Sequence, residues 1–207
     1  MLNDRSDGIE PYSRLEFVVD NSLISRFFPL LQKGVVIRSR IGCSIATFLK
    51  EEIGATPETI EKIQSVILDG KPVDDLETTY IKDGATLALS AAMPGLVGAT
   101  LRRGGAYSSF RNAITHHETC GVSAQGEGSV QVKLFNLLMS DLGPDLLRRG
   151  VILCTRDIIS FTSVQSSDFW EGCREITLDG KHIEGLKMRN ADWPSGKEHV
   201  FLIATKR

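Results

Sequence analysis

Residues 66–75 read VILDGKPVDD, and residues 175–185 read EITLDGKHIEG. Each is an apolar strand running into Asp-Gly, the pair a tight hairpin prefers because glycine accepts a positive φ. The two glycines, Gly70 and Gly180, stand 110 positions apart. A second echo lies upstream of each: LLQKGVVI (30–37) and LLRRGVIL (146–153), with Gly34 and Gly150 116 positions apart. The difference of six fits a shorter middle in the second copy, where 29 residues separate Gly150 from Asp179 against 35 between Gly34 and Asp69. Two matches in one order at nearly one offset predict a duplication. The unit of about 80 residues is enough for a small core and too large for a solenoid repeat, so two side-by-side domains are expected.

Working outward, each copy reads as strand, Leu-rich helical segment, strand, second helical or apolar segment, LDGK hairpin and final strand. In the first copy RLEFVVDN (14–21) has strand composition, and Pro29 must kink or restart any helix in SLISRFFPLLQKG. VVIRSRIG alternates as a half-buried strand does. In CSIATFLKEEIGAT, Ser44 is an N-cap, Ala46, Phe48 and Leu49 form a stripe, and Gly54 is the stop. IKDGATLALSA gives a turn at Asp83-Gly84 and a strand over 85–91. In the second copy SVQVKLF is a strand, and Leu137, Leu138, Leu142, Leu146 and Leu147 stripe an amphipathic helix. VILCTRDIISF is followed by a loop through Trp170, and EHVFLIATK closes the chain as a strand. Trp170 and Trp193 are expected to serve as core or lid residues of this copy.

The predicted organisation is therefore a flexible lead-in (1–13), a first domain (14–92), a Gly-rich connector or arm (93–128) and a second domain (129–207). The connector is assigned on its wealth of Gly, Ala, Ser and Thr.

The 207 residues are 42% hydrophobic and 24% charged, ordinary for a globular protein. A net charge of −2 gives no electrostatic case for nucleic acid. The N-terminus has no signal-peptide core, and a cytoplasmic location is expected. The longest uncharged run, Gly84 to Leu101, is 18 residues and is broken by Pro94, Gly95 and Gly98, which argues against a membrane span. Four widely spaced cysteines form no CxxC pair, so neither a zinc knuckle nor a disulfide framework is indicated.

VQVKLFNLLMSDLG, with LDGK and EHVFLIAT behind it, resembles the small subunit of molybdopterin synthase and the thiamine sulfur carrier. The first copy resembles them too, with GCSIATFLKEEIG in place of their main helix and VILDGKPVDD and IKDGATLAL in place of their hairpin and last strand. The resemblance implies an α+β fold of two tandem β-grasp, ubiquitin-like domains, each a mixed sheet packed on a main helix. It also implies a protein partner, either an E1-like adenylating enzyme or a molybdopterin- or thiamine-type synthase subunit. That family's chemistry lives in a C-terminal Gly-Gly, whose side-chain-free tail threads a narrow enzyme channel. This chain ends FLIATKR, and its double glycine, Gly104-Gly105, has 102 residues after it.

The stretch AAMPGLVGATLRRGG (91–105) thus has three readings: a connector or surface arm, a carrier tail freed by cleavage after Gly105, or a small-residue apolar patch for membrane or partner contact. Met93, Pro94, Gly95, Arg102, Arg103, Gly104 and Gly105 are the candidate residues. The leading expectation is a non-catalytic protein-interaction module that docks through a sheet face or this arm, with no cofactor. A weaker reading is a metal site at His116, His117 and Cys120, whose imidazoles and thiol suit zinc or copper but fall short of four ligands. Cys43 stands at a helix start, where the dipole would lower its pKa, although a lone cysteine there more often fills space as a small apolar residue. Asp74, Asp75 and Glu77 read as a solvated hairpin end.

Overall fold

The computed structural model describes residues 12–111, 114–116, 126–188 and 197–207. Strand β1 (Ser13–Val19) leads through a 3₁₀ turn (Asn21–Phe27) into α1 (Phe28–Lys33). Pro29 sits in the first turn of α1, where its missing N–H costs nothing, so it restarts the helix as expected. After β2 (Val35–Ile41) comes α2 (Ile45–Thr47), capped by Ser44, whose hydroxyl accepts from the Thr47 amide at 3.2 Å. It runs on as a π-helical turn (Phe48–Ile53) and stops at left-handed Gly54. Then follow α3 (Pro57–Lys62), β3 (Ser65–Leu68), β4 (Lys71–Pro72) and β5 (Thr86–Ser90).

Beyond β5 lie α4 (Gly95–Leu101) and a 3₁₀ turn (Ser108–Arg111), so the segment read as an irregular connector carries helical structure. The remainder is β6 (Gly126–Phe135), α5 (Leu137–Arg149), β7 (Val151–Cys154), α6 (Thr155–Ser163), α7 (Ser167–Glu171), β8 (Cys173–Leu178), β9 (Lys181–His182), α8 (Gly185–Met188) and β10 (His199–Lys206). The loop expected through Trp170 therefore carries α7, and most of α6 lies in the VILCTRDIISF segment before it. Ile158 and Phe161 in α6, and Phe169 and Trp170 in α7, bury against the sheet, and that packing overrides a sequence poor in strong helix formers. Trp193 lies outside the described residues.

The ten strands of the described residues form one mixed sheet, ordered β4-β3-β5-β6-β2-β7-β10-β1-β8-β9. The opening strand of each copy lies in the other half. β1 pairs with β10 and β8, and β6 pairs with β5 and β2. The halves meet at β2 and β7 through the pair Val36↔Ile152. Those two positions are 116 apart, the same offset as Gly34 and Gly150, so a pseudo-twofold axis runs through the repeat's own equivalent residues.

Register carries the symmetry outward on both sides. Val35, Val132, Leu87 and Leu68 form one cross-strand row, and Val151, Leu202, Leu15 and Leu178 form its counterpart, all eight buried. One difference breaks the match. Beside β3 stands the copy's own last strand, β5, and then the borrowed β6; beside β8 stands the borrowed β1 and then the copy's own β10. Both inner pairs run parallel, so the two arrangements present the same backbone edges.

The LDGK hairpins behave alike. Asp69 and Gly70, and Asp179 and Gly180, all have positive φ, the geometry that matches strand twist in a two-residue turn. Asp69 Oδ1 accepts from the Thr86 amide at 2.8 Å, and Asp179 Oδ1 accepts from the Arg14 amide at 2.8 Å, locking each hairpin to its neighbour.

The helices bury their apolar sides against alternate strand positions in one continuous core. In α5 these are Leu138, Leu142, Leu146 and Leu147, whereas Leu137 faces solvent. Phe17, Phe27, Phe161 and Phe169 pack ring to ring beneath the second half, with centroids 5.0–6.4 Å apart. Equivalent last-turn cations tie the copies together. Lys33 pairs with Asp157, and the Arg149 guanidinium donates to the carbonyls of Glu52 and Ile53 at the end of the π turn.

Gly150 shows how tightly these joints are made. Its φ is +97°, and a Cβ there would lie 2.2 Å from Cζ of Phe201. Gly150→Ala is expected to destabilise the fold by about 2–4 kcal/mol through strain and overpacking together. Urea unfolding with an unchanged m-value is the check, and a midpoint equal to wild type would refute the assignment.

Candidate functional site

The stretch that posed the functional question is folded onto the first hairpin. Leaving β5, the chain is held by Asn136, whose amide donates to Ser90 Oγ at 3.0 Å and to the Ala92 carbonyl. Pro94 precedes α4, and Gly95 takes a φ of 75°. Gly98 is buried against the Met93 backbone, where a Cβ would fall 1.7 Å from the carbonyl oxygen, so the helix passes that close only because the residue is glycine. Met93 itself is half-buried.

The double glycine is part of a turn. The Arg103 amide donates to the Gln64 carbonyl at 2.7 Å, the Gly104 amide to Asp74 Oδ1 at 3.1 Å, and the Gly105 amide to the Arg102 carbonyl at 3.1 Å. Further on, the His116 amide donates to the Pro72 carbonyl at 2.8 Å. The segment is thus stitched to the β3–β4 hairpin along its length.

Its anchor is Arg111, whose side chain is only 3% exposed. Nη1 and Nη2 grip Asp74 at 3.0 and 2.6 Å as a fork. Nε donates to the Thr100 carbonyl at 2.6 Å, Nη2 also to the Arg102 carbonyl at 3.3 Å, and Nη1 to Thr115 Oγ1 at 3.0 Å. All five guanidinium donors are therefore engaged, two of them on carbonyls at the end of α4. This is why so Gly- and Ala-rich a segment holds a helical turn.

Asp74, read from sequence as solvated, is the other half of the anchor. Burial pulls its carboxyl upward, but the Arg111 hydrogen bonds, the Gly104 amide and the charges of Arg111 and Arg103 outweigh burial and hold it below the ordinary aspartate value. A depressed folded-state pKa stabilises above the unfolded value and is lost as pH falls through the folded one. Amide exchange of the arm is thus expected to stay flat from neutral pH down to about 5, after correction for intrinsic rates, and to rise only below about 4. A rise between pH 7 and 5 would contradict the assignment.

What the anchor presents is apolar. Leu96 and Val97 on α4, and Tyr107, Phe110 and Ile114 after the glycines, are all exposed, Phe110 to 80% beside the sealed Arg111. These are five of the eight exposed large apolar side chains among the described residues. Tyr107 and Phe110 stack at 6.0 Å. Arg102 is exposed and Arg103 half-buried in the turn that precedes them in the chain. The first group of candidate residues is therefore brought together as one arm. From the sequence, Arg111 reads with Arg102 and Arg103 as a solvated arm that could hold an anion or an acidic partner, and Asp74 as a solvated hairpin end; that the two pair, thirty-seven positions apart, is not read there, nor are Tyr107 and Phe110.

Of the proposed metal site, His116 is placed on the hairpin edge, and His117 and Cys120 lie outside the described residues. Among the described residues no cluster of three His, Cys, Asp or Glu side chains is arranged to hold a metal, and no helix is long and apolar enough to cross a membrane. Cys43 lines a cleft of about 470 Å³ with Arg40, Thr47, Glu51, Glu52 and Glu127. Burial pushes its thiol above the ordinary value, the opposite of what the helix start implied.

The class these features define is an α+β protein with a ten-stranded mixed sheet and an anchored apolar arm. No family model matches the chain, and comparisons with curated proteins and with solved structures give no match.

Proposed function

We propose that this chain is a non-catalytic, ubiquitin-like protein-interaction module related to the sulfur carriers, and that it docks a partner protein through its arm. The observation that carries the proposal is the set of exposed apolar side chains at Leu96, Val97, Tyr107, Phe110 and Ile114, Tyr107 stacked on Phe110, on one segment fastened by a buried arginine. Isolated exposed leucines need no explanation, but a cluster of this size on an ordered element marks a contact surface. Each half of the sheet, with a short hairpin at its edge, a central parallel pair and helices on one face, supports the reading of two β-grasp units that have exchanged their opening strands. The bonded turn at Gly104-Gly105 favours docking over a carrier tail, since a tail must be extended and free.

The test compares Phe110→Ser and Val97→Ser with wild type. Both side chains are exposed, so thermal stability is expected to change by less than about 1 kcal/mol. Partner recovered on the tagged chain from its native cells is expected to fall at least about tenfold, as for loss of an interface anchor. Equal recovery by wild type and both variants would refute docking through the arm.

A further inference from the structure

Resting on the docking reading, we infer that the arm's partner is a protein whose apolar groove is rimmed by carboxylates, with Phe110 and Tyr107 filling the groove and Arg102 and Arg103 meeting the rim. The charge pattern carries this. From Gly84 to His117 the chain has no Asp or Glu, although the whole molecule is net negative. Among the described residues the carboxylate bonded to the arm is Asp74, which accepts from two guanidinium nitrogens and the Gly104 amide. Arg111 is thereby neutralised, and the positive edge belongs to Arg102 and Arg103.

The aromatic pair fits a protein groove. Stacked aromatic rings, with arginines a few residues before them in the chain, are the composition of interface hot spots, rigid and cheap to order. A lipid surface fits less well. Polybasic membrane attachment draws on about four to eight cations, and here two stand at the edge of a net-negative molecule, which an anionic bilayer repels.

The experiment uses the full chain with a benzophenone amino acid at position 110, irradiated in its native cells. The crosslinked protein is identified, purified and titrated against wild type, Arg102→Glu/Arg103→Glu and Phe110→Ser, at about 50 and 500 mM NaCl. The inference expects affinity to fall about tenfold or more with salt and again in the double charge reversal, because rim charges act through screened Coulomb attraction. If Phe110→Ser weakens binding while salt and charge reversal do nothing, the groove is purely apolar and the inference fails, with docking intact. If Phe110→Ser binds as wild type, docking through the arm fails as well. If no protein crosslinks, and the chain sediments with phosphatidylserine–phosphatidylcholine vesicles in a Phe110-dependent way, the contact is a lipid surface and the inference is overturned. No protein crosslink and no vesicle binding overturns both.

Discussion

Fragments 1–105 and 106–207, produced separately, are expected to remain unfolded or aggregate, and to form a 1:1 complex with a single cooperative transition when mixed. The reason lies in the strand pairings. Among the described residues, only β3·β4 and β3·β5 survive within 1–105, and only β10·β7 and β8·β9 within 106–207. The pairings β1·β10, β1·β8, β2·β6, β2·β7 and β5·β6 all join one fragment to the other. Alone, each fragment would expose unpaired edges and the apolar rows that the partner strands cover, a combination that aggregates. The same argument weighs on the carrier reading. Cleavage after Gly105 would leave a nicked complex running at the intact mass of 22.7 kDa under native conditions and separating only in denaturant. A cooperative thermal transition from monomeric 1–105 would sink this expectation, and isolation of that fragment from native cells would restore the diglycine as a working tail.

That exchange is also where sequence reading stopped. The LDGK hairpins were legible because a two-residue turn with positive φ at both positions leaves few residue choices, and Asp69-Gly70 and Asp179-Gly180 meet them. Ser44 and Gly54 were legible as cap and stop for the same local reason. Strand partnership is not local. SRLEFVV in β1 alternates correctly for any strand buried on one face, and nothing within it says that its parallel neighbour is β10. The offset of 116 between Gly34 and Gly150 predicted a duplication, and the paired Val36 and Ile152 share that offset, but a duplication fits two separate domains and two interlocked ones equally well. The arm failed for a related reason. GLVGATL has little helix propensity, and α4 stands because Arg111, ten residues beyond its end, donates to the Thr100 and Arg102 carbonyls. Leu137 shows the converse error, a leucine that continues a sequence stripe yet points to solvent.

The second large effect is expected at that anchor. Asp74→Ala removes the carboxylate and leaves the Arg111 guanidinium buried with an uncompensated charge. Breaking a fully buried pair in this way costs about 3–5 kcal/mol. The Asp74 side chain is 38% exposed, so water offsets part of the loss and about 2–4 kcal/mol is expected here. The loss is local, because among the described residues the pair's other hydrogen-bond partners, Thr100, Arg102, Gly104 and Thr115, all lie in the arm. The arm detaches before the sheet does, and hydrogen exchange is the readout that separates the two. Protection at the amides of Arg103, Gly104 and His116, which donate to Gln64, Asp74 and Pro72, is expected to disappear in Asp74→Ala. Protection in β1 and β10 should stay at wild-type levels. Arg111→Met on the Asp74→Ala background deletes the orphaned charge and should recover at least about 1 kcal/mol of arm attachment, the non-additivity that marks a direct pair. Asp74 fastens the segment that carries the exposed apolar side chains, so its loss should also weaken partner binding although Phe110 and Arg102 are themselves unaltered. Unchanged arm protection in Asp74→Ala would mean that the arm is held by its main-chain bonds alone, and the ion pair would then be incidental to how those side chains are presented.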